Sequence, residues 1–464
     1  MTTTSLKRLP SNPFAANNLQ GFTIALRKVK CSTWNITKMR SLFYTRAVFA
    51  PRLIPVDPGP TRLWQKYVLL AGLSLLLFFT SLIGRAQTAK PAASFDQLSA
   101  KADAARDANQ LDQAIPIYRK ALALRPTWKE GWWSLGTILY DQNSYAPAAR
   151  AFTKLVSLDP KNGTAHLMLG LCQYQLNLND PAMANIQAAK DLGIRKEEQL
   201  ENVLQYHEGM LLLRKGDYER AIESLQLLVS KGVQSEALDT ALGMSVLLML
   251  PKNAPAEKSP ERQIVIRAGR AEHDSLLKKT DDAKKEYLAL TQEFPDFPNV
   301  HYAFGRFLLT IQDTEEAVPA FQEEIKRNPT HIRARMQIAA THYRVDSAAG
   351  IPIATEVVKL EPKYPFGHYL LGLLYFDSGD VTHAIPELET AARMSPREAQ
   401  FQFALGNAYA KAGRKEDAAR ARAAFRNLGG AKESASKSTT YGDRPPGLDH
   451  AAGPAPQSSE RNHP

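Results

Sequence analysis

Few side chains in this 464-residue chain are placed to do chemistry. Ten histidines and two cysteines are the natural candidates for metal ligands or nucleophiles. His166, His301 and His368, however, recur at one register, each four residues before a glycine (Gly170, Gly305, Gly372). A metal centre gathers ligands around one point, whereas a residue repeated at a fixed register marks a packing position, so no metal ligand is assigned. Cys31 and Cys172 are too far apart for a CxxC motif, and Cys172 in "LMLGLCQY" reads as a small buried apolar residue. The chain holds no GxSxG, no HExxH, no phosphate loop and no GxGxxG after a strand pattern. No catalytic residue and no cofactor are assigned, and a cryptic hydrolase or transferase has no supporting residues.

The net charge of +11 suggests a polyanionic partner until its distribution is examined. Residues 1–66 carry eleven Lys or Arg against Asp57 alone, so this leader holds +10 and the remaining chain only +1. Nucleic-acid binding by the body is therefore not expected. The leader runs into Tyr67–Ile83, seventeen residues without a charge, followed by Gly84-Arg85-Ala86. Segment 67–86 reads either as a signal peptide cleaved after Ala86 or as an uncleaved transmembrane anchor. Both predict a body outside the cytoplasm, periplasmic or extracellular, with the basic leader left inside by the anchor. A leader of this length also fits a start further in, for example at Met39, or an organelle transit peptide.

The elements that would position any site are periodic. Glycines at 136, 170, 243, 305, 372 and 406 each follow an apolar residue, with 34 residues from Gly136 to Gly170 and from Gly372 to Gly406. Ala148, Ala182, Ala221, Ala283, Ala317, Ala384 and Ala418 form a second ladder about twelve residues on. Most are followed four residues later by a bulky side chain such as Phe152, Leu225, Tyr287, Phe321 or Leu388. Prolines at 126, 160, 295, 329, 362 and 396 close the units, and Pro116, Pro319, Pro352 and Pro386 fall in or near the first turn of the second helix. The pattern, best seen in "GWWSLGTILYDQNSYAPAARAFTKLVSLDP" (131–160), resembles the tetratricopeptide repeat family. The resemblance implies an all-α fold, a right-handed superhelical solenoid of about ten 34-residue helix-turn-helix units.

The predicted organisation is a basic leader (1–66), the apolar segment (67–86), a repeat arm at 94–250, a Pro-rich break at 251–263, a second arm at 264–429 and a disordered tail at 430–464. The break "PKNAPAEKSPERQ" replaces a second helix; it acts either as a hinge between arms or as a plain insertion.

The resemblance implies that the first helix of each unit lines a concave groove. Groove positions are Trp133, Tyr140, Tyr174, Tyr206, Tyr302, Arg306, Arg333, Tyr343, Arg344, Phe366, Tyr369, Phe376 and Asn407. Aromatic and arginine side chains dominate protein-binding hot spots; the alternative is that several of these pack between units. The family's clamp for acidic peptide tails is not reproduced, because Trp133, Thr137, Leu167 and Leu171 stand where its polar groups would be needed. The expected function is a non-enzymatic scaffold that binds peptides or partner proteins on the outer side of a bacterial cytoplasmic membrane. The alternative is a membrane-anchored assembly component of an envelope complex, held by residues 67–83.

Overall fold

The computed structural model describes residues 94–194 and 198–429. The leader, the segment 67–86 with its signal-peptide and anchor readings, and the tail 430–464 lie outside the described residues. Within them there are nineteen α-helices and no strand, and no helix long and apolar enough to cross a membrane.

Contacts divide the chain at Asp159/Pro160 into two compact units. The first contains α1 (Phe95–Asp107), α2 (Leu111–Leu124), α3 (Lys129–Asp141) and α4 (Tyr145–Leu158), two helical hairpins. In the second, α5 (Gly163–Gln175) pairs with α6 (Asn179–Leu192), and α7 (Glu198–Lys215) with α8 (Tyr218–Ser230). Then come α9 (Glu236–Val246), α10 (Pro260–Leu276) and α11 (Thr280–Glu293). Four further hairpins follow: α12 (Val300–Thr310) with α13 (Thr314–Arg327), α14 (Ile332–Thr341) with α15 (Ser347–Leu360), α16 (Pro365–Asp377) with α17 (Val381–Met394), and α18 (Ala399–Lys411) with α19 (Lys415–Asn427).

Four of the hairpins close on the same contact. A methyl group added to Gly136 would stand 2.8 Å from Phe152, and one at Gly209, Gly305 or Gly372 would stand 2.8, 2.8 or 2.7 Å from Leu225, Phe321 or Leu388. The small residue thus accepts the side chain sixteen positions later, while the alanines twelve positions on are buried beside it. Seven residues after the small residue the chain turns through the left-handed region, at Asn109, Asn143, Asn177, Gly216, Gln312, Gly379 and Gly413. Asn and Gly tolerate that conformation best, so this register is written in residue type. Helix starts are capped locally: the Ser94 hydroxyl accepts from Gln97 N in a capping box, and Asn162, Asp313 and Asp380 accept from the amides three residues on.

The recurring histidines have a structural task. His166, His301 and His368 approach the carbonyls of Pro160, Pro295 and Pro362 through Nε2 at 3.2, 3.1 and 3.0 Å, and the Trp132 indole donates to Pro126 O at 2.8 Å in the same register. The inner prolines differ from expectation. Pro116, Pro319, Pro352 and Pro386 are each the sixth residue of their helix, one turn deeper than the position where a missing N–H costs nothing. All four are exposed, so water can satisfy the carbonyl each one frees.

The fifth repeat is half a repeat. After α9 the prolines at 251, 255 and 260 replace the second helix with a short 3-10 turn (Pro251–Asn253) lying on α7, and α10 begins at Pro260, inside the expected break. Helix α9 instead packs on α10, backbone to backbone. A methyl at Gly243 would lie 1.8 Å from Val265 O, and one at Gly269 1.6 Å from Asp239 O. No shift of a flexible side chain can relieve such a clash, so Gly269→Ala is expected to cost about 3 kcal/mol or more. Gly406→Ala, whose tightest contact would be the flexible Arg422 stem at 3.2 Å, should be near neutral; urea unfolding followed by circular dichroism compares the two. In the same assay Gln312→Gly should gain roughly 0.5–1 kcal/mol by relieving a side chain held at φ 64°.

Candidate functional site

Three of the thirteen groove positions meet in one polar cluster where the second helix is missing. Arg306 on α12 donates through Nη2 to Glu272 Oε1 of α10 at 2.7 Å, and the Tyr287 hydroxyl of α11 donates to Glu272 Oε2 at 2.9 Å. Arg333, in the first turn of α14, reaches Glu219 in the first turn of α8 at 3.4 Å, 114 residues away in sequence. The Arg333 guanidinium also lies 5.4 Å from the centre of the Tyr218 ring. Tyr302 fills the floor, its ring 5.1 Å from that of His331. The side chains of Arg306, Arg333 and Glu219 retain 16, 15 and 19 % of their exposure, so the cluster is enclosed but not sealed. Burial opposes the charge on both arginines, yet Glu272 and Glu219 hold their pKa values above the ordinary one.

A relay through Asn299 braces the cluster. Asn299 adopts a left-handed conformation before α12, and its Nδ2 donates to Leu247 O at the end of α9 at 2.8 Å. His331 Nε2 contacts Asn299 Oδ1 at 2.8 Å, and His331 Nδ1 accepts from Ala334 N at 2.9 Å, capping α14. This geometry requires the neutral imidazole with its proton on Nε2.

The other groove positions divide by burial. Tyr140, Tyr174, Tyr206, Tyr343, Phe366 and Tyr369 are buried. Tyr174 lies beneath Arg214 at 3.7 Å, and Phe366 and Tyr369 pack on Phe401 at 5.1 and 4.7 Å between ring centres. In this conformation these six serve packing and offer a partner no contact surface. Their 3.6-residue register gives the direction of each side chain but not what stands opposite it. Trp133 is half-buried against Phe152, Asn407 is half-buried, and Phe376 is half-buried with Lys411 Nζ 4.7 Å from its ring centre. Arg344 is exposed.

Phe403 is absent from that set, yet it is 49 % exposed on α18 and continues the register of Tyr369, 34 residues on. Glu272, too, carries a readable signal, because it lies one repeat before Arg306, as Asp239 lies one repeat before its partner His273 at 3.1 Å. Among the described residues no group of three or more His, Cys, Asp or Glu is placed to hold a metal. Cys172 is fully buried, and burial pushes its thiol up to about 12.

Sequence models described as the tetratricopeptide repeat match residues 99–149, 134–195, 277–332 and 369–428, and another of the same description matches 204–230. The human Protein O-mannosyl-transferase TMTC3 is 23 % identical over 301 residues, 63 % of this chain and 29 % of that protein. Superkiller protein 3 of Schizosaccharomyces pombe is 22 % identical over 56 % of the chain and 18 % of its own length. Hsp70-Hsp90 organizing protein 3 of Arabidopsis thaliana is 25 % identical over 41 % of the chain and 36 % of its own length. The chain thus spans little more than a third of these relatives at most. Among solved structures, MamA RS-1 (20 % identity, TM-score 0.34) aligns over 37 % of this chain and 97 % of its own. The APC/C complex Cut9-Hcn1 (13 % identity, TM-score 0.33) aligns over 77 and 92 %.

Burial depresses His331 to about 4, with Arg333 and Arg335 adding to the effect, and depresses His207 of α7 to about 4. In the unfolded chain both take up protons near the ordinary 6.5. Their stabilisation is therefore complete above pH 6.5 and is lost as the pH falls from 6.5 towards 4, by about 2 kcal/mol per histidine at pH 5. His368, raised by Glu387 at 2.6 Å, acts with the opposite sign. Urea unfolding at pH 7 and pH 5 should show a smaller difference for His331→Asn than for the native chain.

Proposed function

We propose that this chain, which belongs to the tetratricopeptide repeat family, is a non-enzymatic scaffold that binds partner proteins through the first-helix face of its last repeats. The repeats make it a protein-interaction platform; the place of contact is our reading. The observation that carries it is the exposed aromatic Phe403, 5.3 Å from Phe425 between ring centres, together with the half-buried Asn407 on the same helix. On the neighbouring α16, Phe376 is joined to α18 through Lys411, which also donates to Phe376 O at 3.2 Å. An accessible aromatic beside amide and ammonium groups suits an extended or helical segment of another protein. The name of the human relative describes a mannosyl-transferase; the alignment covers 29 % of that protein, and the groove positions here are aromatic and cationic.

We place the body outside the cytoplasm, because the charge-free Tyr67–Ile83 follows a strongly basic leader. The same segment, if retained, favours the second reading of a membrane-anchored assembly component. Fractionation followed by N-terminal sequencing separates the two: a soluble species starting at Gln87 supports the free scaffold, and a membrane-bound one retaining 67–83 supports the anchored one. A full-length soluble cytosolic species would exclude both. For the binding face, Phe403→Glu should abolish crosslinking of partner proteins in native extracts without changing helicity. Undiminished crosslinking would move the contact elsewhere.

A further inference from the structure

We propose that the chain fills one of its own partner sites: the start of α8 lies where a segment with an aromatic residue followed by a carboxylate would bind. The order of helices puts α8 there. Gly243 of α9 lies against Val265 of α10, and Asp239 against Gly269, so these two first helices run antiparallel, as a first and a second helix do elsewhere. Helix α10 packs on α8 as a missing second helix would, and on α12 as a first helix does. From α10 onward the two layers have therefore changed places: the first helices of the later repeats continue the layer to which α8 belongs. That exchange turns the first-helix face of α12 and α14 towards the start of α8.

What α8 places against that face is Tyr218-Glu219. Glu219 reaches Arg333 at 3.4 Å, and the Tyr218 ring centre lies 5.4 Å from the same guanidinium. Tyr302 and Tyr364 stand near enough that the Arg333 charge partly offsets the rise that burial gives their hydroxyls. Tyr302, Arg306 and Arg333 are positions that the repeat register assigns to partner contact, so Tyr218-Glu219 takes the space such a contact needs. Elsewhere the acid at the register of Glu219, two before the buried alanine, serves the neighbouring repeat: Asp112 accepts from Gln142 at 2.8 Å, and Asp180 pairs with Lys215 at 2.8 Å. Glu219 has left that task for an arginine 114 residues away. The hold is loose enough to be exchanged. At 3.4 Å the pair is longer than the 2.7 Å between Arg306 and Glu272, and Glu219 and Arg333 keep 19 and 15 % of their side-chain exposure. Glu219 is the second residue of α8, so its side chain can turn to water without breaking a helical hydrogen bond. A partner's carboxylate then meets the planar guanidinium as a charge-assisted pair, and its aromatic neighbour finds the tyrosine-lined floor.

The test is fluorescence anisotropy with a labelled, N-acetylated and C-amidated peptide Asp-Tyr-Glu-Arg, the sequence of residues 217–220, added to the full chain. We expect Glu219→Gln to bind the peptide about tenfold tighter than the native chain, because the site is no longer taken. Adding Arg333→Met should remove the gain, and so should Gln in place of Glu in the peptide. Glu219→Asp, one methylene shorter and still charged, should give a smaller gain, and this variant carries the test where Glu219→Gln loses helicity by circular dichroism. Equal affinity of the native and the Glu219-substituted chains would mean that the pair is a brace alone. A gain that survives Arg333→Met would mean that the peptide binds elsewhere. Either result overturns the proposal. The proposal rests on the scaffold reading but not on Phe403, so its failure leaves the last-repeat surface untouched.

Discussion

The rest of the fold depends on the seating of one side chain in the space a small residue leaves, sixteen positions earlier in the same hairpin. An α-helix advances 1.5 Å per residue, so a chain that climbs about eight residues, turns and descends about eight returns to its starting level. That arithmetic explains why the left-handed turn residue comes seven after the glycine, the buried alanine twelve after it and Phe152, Leu225, Phe321 or Leu388 sixteen after it. The three ladders are one constraint seen at three heights. Lengthening either helix by one residue would rotate the filler by about 100° and leave the glycine facing a void. The hydrogen bonds from Trp132, His166, His301 and His368 to proline carbonyls then tie each first helix to the turn just before it.

The fifth repeat shows what happens when the constraint cannot be met. With no second helix to supply a filler, Gly243 takes the backbone of α10 instead, and Gly269 returns the contact. Two glycines facing each other bring the helices closer than a glycine and a phenylalanine can. In a solenoid each unit normally touches only its neighbours. Here Glu219 and Arg333 join the first turns of α8 and α14 across 114 residues. The Asn299 relay, tying the end of α9 to the cap of α14, occupies the same region. Polar side chains thus take over bracing that apolar fillers perform elsewhere, and the buried glutamates and arginines gather there.

Whatever repeats could be read from the chain, and what depends on a single encounter could not. The glycine and alanine ladders and the packing role of the histidines follow from spacing, and the helical class from the family resemblance those ladders carry. The groove positions were legible only as directions. Tyr206, Tyr302 and Tyr369 occupy the same register as Phe403, yet the first three are buried and the last is half exposed. The difference lies in what stands opposite: Phe401 meets Tyr369 and His331 meets Tyr302, while Phe403 has the Phe425 ring beside it. Arg306 with Glu272 was readable in principle, one period apart; Glu219 with Arg333 was not, because no periodicity links them.

Two arginines show how far residue type falls short of role. Arg306 and Arg262 both lie on first helices around the missing element, and both are largely withdrawn from water. Arg306 has Glu272 at 2.7 Å, and Glu272 in turn has Tyr287, so its charge is part of the frame. Arg262 is joined to no carboxylate among the described residues, so residue type alone does not give its role. The same reasoning applies to Phe403, whose exposed ring gains less from the core than the buried tyrosines of its register. In a fold assembled from near-copies, the informative positions are those where one copy departs from the rest without a structural gain.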